Sequence, residues 1–549
     1  MNEDTAEFPW CLFLFATRKL MEERQYSGLG RRVIYTDAES ITEDNVIQEL
    51  QNAMITHIAN VIDMDFLINF EKGVQPLQRE KTVRPDINIK VVDNVVAEIT
   101  EFKVSYCLGN PITYIQRGDR TGGEKVDNEA IYALNEMLDA EESYAADQET
   151  ERMKQICGIA NQFVDIKRDW KEGDAPFDLV ALDPRTSFVV YKNDALKRKM
   201  MGVTYRTEIN GDRHFTVFTK DRRYEIDNMS KIVNGEKRKK KEKVWDFGNR
   251  SGEINPLGEI PIVEFQRSYD RMGCFERVIA LQNALNIVES DFINGISQET
   301  QSIWWGNDLN FPKDENGKII VPSTGQWILS STNGNGDPRI QPLTINAERA
   351  SVLNDIQYKR DSIKSQCFVP TTSDPGGGST GTAYSMSSGW QNAEIQAAKE
   401  ELLIRKGKME VADLILRAVK RSPDTPSDSP VVKLTTGDIR PSVTRNKTYD
   451  MATKANTLAT LVSHGVAFQH ALRVVELFPD VNLVFEDSKP TIKRYLDKIY
   501  ADPSATSGST DTGNTQMKDT EKRNQQDSSD QGSNSPFVNS LRTDKSGGA

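Results

Sequence analysis

The chain has 549 residues, 37% of them hydrophobic and 27% charged, with a formal net charge of −12. At that length the expectation is a soluble chain of about three or four modules, not one compact core. The acidic balance excludes a protein that holds DNA tightly, since such proteins neutralise phosphates with lysine and arginine and read as basic.

The longest apolar run, Phe8 to Phe15, contains Pro9 and is too short for a membrane helix, and Asn2-Glu3-Asp4 has the wrong sign for a secretory signal. A tucked terminal segment or an interface contact is expected of it. Thr42 to Asn60 predicts an amphipathic helix, with Val46, Ile47, Leu50, Met54, Ile55 and Ile58 on one face and Ser40 or Thr42 as its cap. Asp86 to Leu108 reads as helical up to the stop Gly109-Asn110-Pro111, and an extended run follows from Ile112 to Gln116. Asn128 to Ala140, with Ile131, Leu134 and Leu138 on one face, and Thr150 to Gln162 predict two more helices. Strands are expected at Leu179 to Leu182, Ser187 to Tyr191, Val203 to Ile209, His214 to Thr219 and Arg222 to Ile226, with Asn210-Gly211 as a hairpin turn. The basic run Lys237 to Lys243 falls in an expected loop; it is either a solvated surface or a contact to a partner or nucleic acid.

Glu276 to Trp304 carries Val278, Leu281, Leu285, Val288, Phe292 and Ile296 at helical spacing, with Gln282, Asn286, Glu289 and Asp291 on the faces turned to water. Ile345 to Cys367 repeats the pattern with Leu353, Ile356, Ile363 and Cys367 against Glu348, Arg349, Lys359, Arg360 and Lys364. Between them, residues 305–344 are rich in Gly, Pro and Asn, with short runs such as Lys318 to Val321 and Gln326 to Leu329, which predicts two or three short strands joined by turns. A loop with four glycines, Asp374-Pro375-Gly376-Gly377-Gly378-Ser379-Thr380-Gly381-Thr382, leads into one long helix, Tyr384 to Lys420, supported by residues such as Ala393, Ala397, Leu402 and Ile404. Then come a strand at Val431 to Thr435, helices at Lys447 to His464 and Phe468 to Phe478, and a helical piece from Pro490 to Tyr500. Ala501 to Ala549, rich in Ser, Thr, Asp, Gln and Gly, is expected to be disordered. The fold class is therefore α+β.

No catalytic constellation stands out. The histidines at 57, 214, 464 and 470 lack metal-ligand spacing, and no G-x-S-x-G elbow occurs. Neither the glycine loop nor Asn316-Gly317-Lys318 supplies a Walker A lysine, which weighs against a motor ATPase or nuclease. The five cysteines, at 11, 107, 157, 274 and 367, form no C-x-x-C pair and read as packing residues in a reduced setting. The glycine loop has no lysine, and it can approach a nucleic-acid backbone at little steric cost.

Three segments carry a family resemblance. They are Pro85-Asp86-Ile87-Asn88-Ile89-Lys90 through Gly109-Asn110-Pro111-Ile112-Thr113-Tyr114; Ala181-Leu182-Asp183-Pro184 with Phe188-Val189-Val190-Tyr191; and Asn255-Pro256-Leu257-Gly258-Glu259-Ile260-Pro261-Ile262-Val263-Glu264-Phe265. In order and spacing, over roughly residues 35 to 500, they resemble the portal proteins of tailed bacteriophages, the head-to-tail connectors of long-tailed phages. The resemblance implies a portal fold: wing 1–272, first stem helix 273–303, clip 304–344, second stem helix 345–367, tunnel loop 368–388, long helix 384–420, wing return 421–448, crown 449–500 and tail 501–549. It implies a ring, typically of about twelve copies, at one capsid vertex. Double-stranded DNA passes through it, driven in by the terminase large subunit and released towards the tail. Further implied partners are a head-completion adaptor and the major capsid and scaffolding proteins; no membrane, metal, cofactor or enzymatic activity is implied. The tunnel loop would offer Asp374, Gly376, Gly377, Gly378, Ser379 and Thr380 to DNA; the stem lumen Glu289, Asp291, Glu299, Arg349, Lys359 and Lys364; the clip interface Trp304, Trp305 and Trp327. The rival reading is another ring-forming virion protein, a head-completion or baseplate component.

Overall fold

A computed structural model describes residues 30–77, 86–117, 128–171, 173–234, 239–300, 304–307, 313–317, 339–342, 349–371, 389–445, 451–466, 468–475, 484 and 488–491. In chain order the elements begin with strand β1 (Ile34–Thr36), helices α1 (Val46–Glu71) and α2 (Val95–Cys107), strand β2 (Thr113–Gln116), and helices α3 (Asn128–Ala140) and α4 (Ser143–Cys157). Strands β3 (Ile159–Ile166), β4 (Phe177–Leu182), β5 (Ser187–Lys192), β6 (Lys199–Thr207), β7 (Arg213–Phe218), β8 (Arg222–Asn234), β9 (Lys239–Phe247), β10 (Glu253–Ile254) and β11 (Ile262–Gln266) follow. The remainder is α5 (Ile279–Thr300), β12 (Trp304–Asn307), β13 (Arg339–Pro342), α6 (Arg349–Gln366), α7 (Trp390–Arg421), β14 (Ile439–Ser442), α8 (Met451–Ser463) and α9 (Phe468–Val475). Contacts divide the chain into two units, 1–448 and 449–549. The mixed α+β class is as expected.

A seven-stranded sheet runs β1-β5-β6-β7-β8-β10, with β9 paired to β8; β1 is parallel to β5 and the other pairs are antiparallel. Alternation along its strands sends Val190, Met201, Val203, Phe215, Val217 and Ile226 to one face, where Val46, Leu50, Ala53 and Met54 of α1 cover them. Val189 and Phe218 belong to a separate cluster with Ile260 and Ile262. Gly202 is where these layers come closest, since a Cβ there would sit 2.8 Å from Ile260. A three-stranded sheet, β11-β3-β4, packs with α3, α7 and the ribbon β2-β14 around Phe177, Leu134, Val411, Ile415 and Ile439.

Several boundaries depart from the sequence reading. The expected helix at Thr150 to Gln162 is really α4, which ends at Gly158 in the left-handed region (φ 81°), and Ile159 opens a strand. Glycine is required there, because a Cβ would collide with the Arg271 carbonyl. Asp86 to Leu108 is helical only from Val95; residues 87–94 form neither helix nor strand, and the Val95 amide bonds the Asp93 carbonyl at 2.9 Å. Asn45, not Ser40 or Thr42, is the N-cap residue of α1; its side chain bridges the Thr42 amide and the Ser40 carbonyl, both at 2.8 Å. Within the basic run, Lys239 to Lys243 are not a loop but pair with Asn234 to Ser230 in the β8-β9 ribbon, and residues 237 and 238 lie outside the described residues. Val431 to Thr435 is not a strand, for Pro430 starts a 3-10 turn, and the strand comes later at Ile439. Ile55, Ile58 and Leu402, expected inside, are 73%, 41% and 66% exposed. Phe8 to Phe15, the runs at 318–321 and 326–329, and the tail 501–549 lie outside the described residues.

Candidate functional site: a strapped helix pair

Helix α5 follows a 3-10 turn at Glu276–Val278, and α6 lies beside it. Val278, Leu285, Ile356, Ile363 and Cys367 are buried in one cluster with Met64, Phe70, Val95 and Ile99 of α1 and α2, so the pair shares its apolar core with the body. Leu353, read as part of the inner stripe, is 51% exposed; Val352 packs inward in its place.

Of the polar residues expected to face water on α5, Asp291 is exposed, but Gln282 and Asn286 are buried. Gln282, Asn286, Ser290 and Asn294 are at most 1% exposed, and they hold residues 89–93 as a strap. Asn294 Oδ1 accepts from the Ile89 amide at 2.8 Å and its Nδ2 donates to the Ile89 carbonyl at 2.8 Å. Ser290 Oγ accepts from the Val91 amide at 3.0 Å, and Asn286 Oδ1 accepts from the Asp93 amide at 3.1 Å. Gln282 Nε2 donates to the Asp93 carbonyl, and Asn286 Nδ2 donates to Gln75 Oε1 at 2.6 Å. The fit is metric. Four residues of helix rise about 6.0 Å, and two residues of extended chain about 6.6 Å, so an i, i+4 series matches alternate strap residues. That spacing of Gln, Asn, Ser and Asn was the available sequence signal, and reading Gln282 and Asn286 as turned to water missed it.

Charges flank the strap. Arg360 of α6 pairs with Asp93 and, at 2.8 Å, with Glu98; Lys364 also pairs with Glu98 at 2.8 Å. Burial works against ionising Glu98, but Lys364 and Arg360 outweigh it and hold the carboxyl below its usual range. Glu289 shows the opposite balance: burial first, then the neighbouring Asp93 carboxyl, raise it. Lys359 pairs with Asp355 one turn earlier on its own helix. Asp291 and Arg349 are exposed and line one cleft between the helices with Phe292 and Val352. Glu299 lies in the last turn of α5. Trp304 and Trp305 form β12, in register with Pro342 and Gln341 of β13. Trp327 and the loop residues Asp374, Gly376, Gly377, Gly378, Ser379 and Thr380 lie outside the described residues.

Deeper in the body, Cys107, Glu151 and Glu400 bring a sulfur and two carboxylates within 4.8 Å, the donor set of a metal site. These groups are already committed. Arg267 pairs with Glu400 at 3.0 Å, Lys154 with Glu151 at 2.6 Å, and Gln155 Nε2 donates to both carboxylates at 2.7 and 2.8 Å. Burial pushes the Cys107 thiol far above its usual range, away from the thiolate a metal needs. Burial alone would also raise Glu400, yet Arg267, Lys103 and Lys154 hold it at about 2. The cluster is an ion-pair core. Cys107, Cys157, Cys274 and Cys367 are all buried and unpaired as packing residues.

Residues 77–489 match the family described as phage portal protein, SPP1 Gp6-like. The chain belongs to the phage portal protein family. No curated protein matches it. Membership makes it a non-enzymatic component of the virion capsid, and among the described residues no helix is long and apolar enough to cross a membrane.

Proposed function

We propose that this chain closes into a ring of about twelve copies at one capsid vertex, the channel through which the terminase drives DNA inward and through which DNA leaves for the tail. The family match carries this reading, since the portal family implies self-association and contact with capsid, terminase and DNA. In it, 1–272 and 421–448 act as wing, α5 and α6 as stem, 304–344 as clip, 368–388 as tunnel loop, the long helix over 384–420 as its backing, and 449–500 as crown. Asp291 and Arg349 are exposed on the pair, which suits weak, non-sequence-specific contact with sliding DNA. Lys359 and Lys364 meet DNA as members of ion pairs with Asp355 and Glu98, and their attraction is damped accordingly. The net charge of −12 supports passage over retention. The clip face, with Trp304, Trp305 and Trp327, serves the terminase and the head-completion adaptor, and the assembled ring nucleates the head with capsid and scaffolding proteins.

Electron microscopy with native mass measurement tests the reading. Rings with a central hole are expected; a folded chain that stays monomeric or dimeric overturns it.

A further inference from the structure

A closed ring requires two different, complementary patches on each copy, because its contacts are head-to-tail. Two such patches face opposite ways from the edge strand β1. Ile34 and Thr36 point to α1, where Ile34 joins Val46 and Leu50 and Thr36 Oγ1 donates to Glu49 at 2.6 Å. The alternate residues Val33 and Tyr35 point the other way and line a groove of 1370 Å³ between the large sheet, β11 and α7.

The α1 patch is convex and apolar. Ile55, Ile58 and Ile62 recur at helical spacing and are 73%, 41% and 38% exposed. The helix has no lysine or arginine in its 26 residues; of its carboxylates Glu49 accepts from Thr36, Asp65 pairs with Arg185 at 2.8 Å and Glu71 is buried against Arg152, so Asp63 supplies the negative charge beside the isoleucines. The groove is concave and offers apolar surface at Tyr35, Leu196 and Tyr269, which are 39%, 67% and 90% exposed. Its carboxylates are used up locally: Glu259 by Lys220 at 2.9 Å, Glu410 by Lys199 at 2.6 Å, Asp413 by Arg417 at 2.8 Å, and Glu264 by Arg271. Lys197, Arg198 and Lys406 line the same groove with no carboxylate at ion-pair distance among the described residues. An isoleucine ridge flanked by Asp63 thus faces away from a basic groove with exposed aromatic and aliphatic surface on the same chain.

We infer that the occupant of the groove is α1 of a second copy of this chain, its Ile55, Ile58 and Ile62 seated against Tyr35, Leu196 and Tyr269. This assignment rests on the ring reading above. The contact is heterologous, and each copy uses its ridge on one neighbour and its groove on the other.

The test uses two full-length variants, one with a broken ridge (Ile55→Glu with Ile58→Glu) and one with a broken groove (Leu196→Glu with Tyr269→Glu), followed by native mass spectrometry. All four positions are exposed, so both variants should keep the circular dichroism of the parent. Each alone should lose rings at least tenfold. Mixed, they should give a one-to-one dimer and nothing larger, because one intact ridge and one intact groove remain between them. The charge-only pair Asp63→Lys and Lys406→Glu should weaken rings singly and restore them when combined in one chain. Parent rings with both broken variants still closing, or a mixture that yields no dimer, overturns the docking and leaves the ring intact as a reading. A folded parent that forms no ring overturns both.

Discussion

Asn294 satisfies both backbone groups of Ile89, accepting from its amide and donating to its carbonyl at 2.8 Å each, although the two residues lie 205 positions apart. Asn294 is 1% exposed although Ile89 is 46% exposed, so the pairing is sheltered from the Asn294 side. Replacing it with Leu keeps the volume and leaves a part-buried donor and acceptor without this partner, each costing about 1 to 2 kcal/mol. Asn294→Leu should therefore lower stability by about 2 to 4 kcal/mol in urea melts. Hydrogen exchange should speed up at the Ile89 amide before it does so in the distant large sheet. Unchanged protection at Ile89 would mean that the strap is held elsewhere.

His57 should give the protein a pH response above the carboxylate range. Its Nε2 lies 3.1 Å from the Arg185 carbonyl and 3.2 Å from the Tyr205 hydroxyl, and its ring stacks on Phe188 at 4.2 Å between centroids. Burial lowers its pKa to about 4; the Arg185 carbonyl opposes the shift and Arg213 adds to it. The unfolded chain takes up the proton near 6.5 and the folded chain only near 4, so stability is lost as pH falls across that window. The loss approaches about 3 kcal/mol at its lower end. His57→Gln should flatten the stability profile between these values, as read by urea melts at a series of pH values.

Elements with a strong period or a hard stop were legible in the sequence. Asn128 to Ala140 is α3 to the residue, because Ile131, Leu134 and Leu138 repeat on one face and all are buried. Asn210-Gly211 makes its turn, with Gly211 at φ 81°. The failures at the strap and on α1 share one cause, which is that long-range partners decided what local pattern left open. Residues 87–94 form no helix because Asn286, Ser290 and Asn294 take up their backbone groups. Ile55 and Ile58 fit an inward stripe by spacing, yet α1 meets the sheet through Val46, Leu50, Ala53, Met54 and His57. Of the expected site residues, Lys359 and Lys364 sit on the expected helix, and their carboxylate partners Asp355 and Glu98 could not be chosen from 81 acidic residues by sequence alone.

The Arg267 to Glu400 pair should be costly to halve and cheap to remove whole. Both side chains are nearly inaccessible, at 11% and 2%. Arg267→Met leaves Glu400 as a buried charge with less compensation, a change worth about 3 to 5 kcal/mol. Adding Glu400→Gln should recover a large part of that loss, since no charge is then stranded. The pair also sets acid behaviour. Burial alone would raise Glu400, yet Arg267, Lys103 and Lys154 hold it at about 2, below the usual 4.5 of a glutamate, so its contribution is full above 4.5 and disappears as pH falls towards 2. A double-mutant cycle in urea at neutral pH, repeated near pH 3, should show the coupling shrink. A cycle that is additive at both values would mean that the pair does not couple.

Gly407 tests how tightly the long helix is seated on the sheet. It lies inside α7, where replacing glycine by alanine ordinarily gains about 1 kcal/mol of helix propensity. A Cβ at this position, however, would run into the edge of the Phe265 ring of β11. Phe265 is 4% exposed and belongs to the cluster with Val411 and Leu414 of the same helix, so the ring has little room to turn aside. Overpacking of this kind costs about 1 to 3 kcal/mol, and the clash should win over propensity. Gly407→Ala is expected to lower Tm, and Phe265→Leu in the same chain should return part of the loss by vacating the contact. If Gly407→Ala raises Tm, the α7 to β11 contact is looser than its geometry indicates, and the glycine is there for another reason, such as leaving room in the groove it also lines.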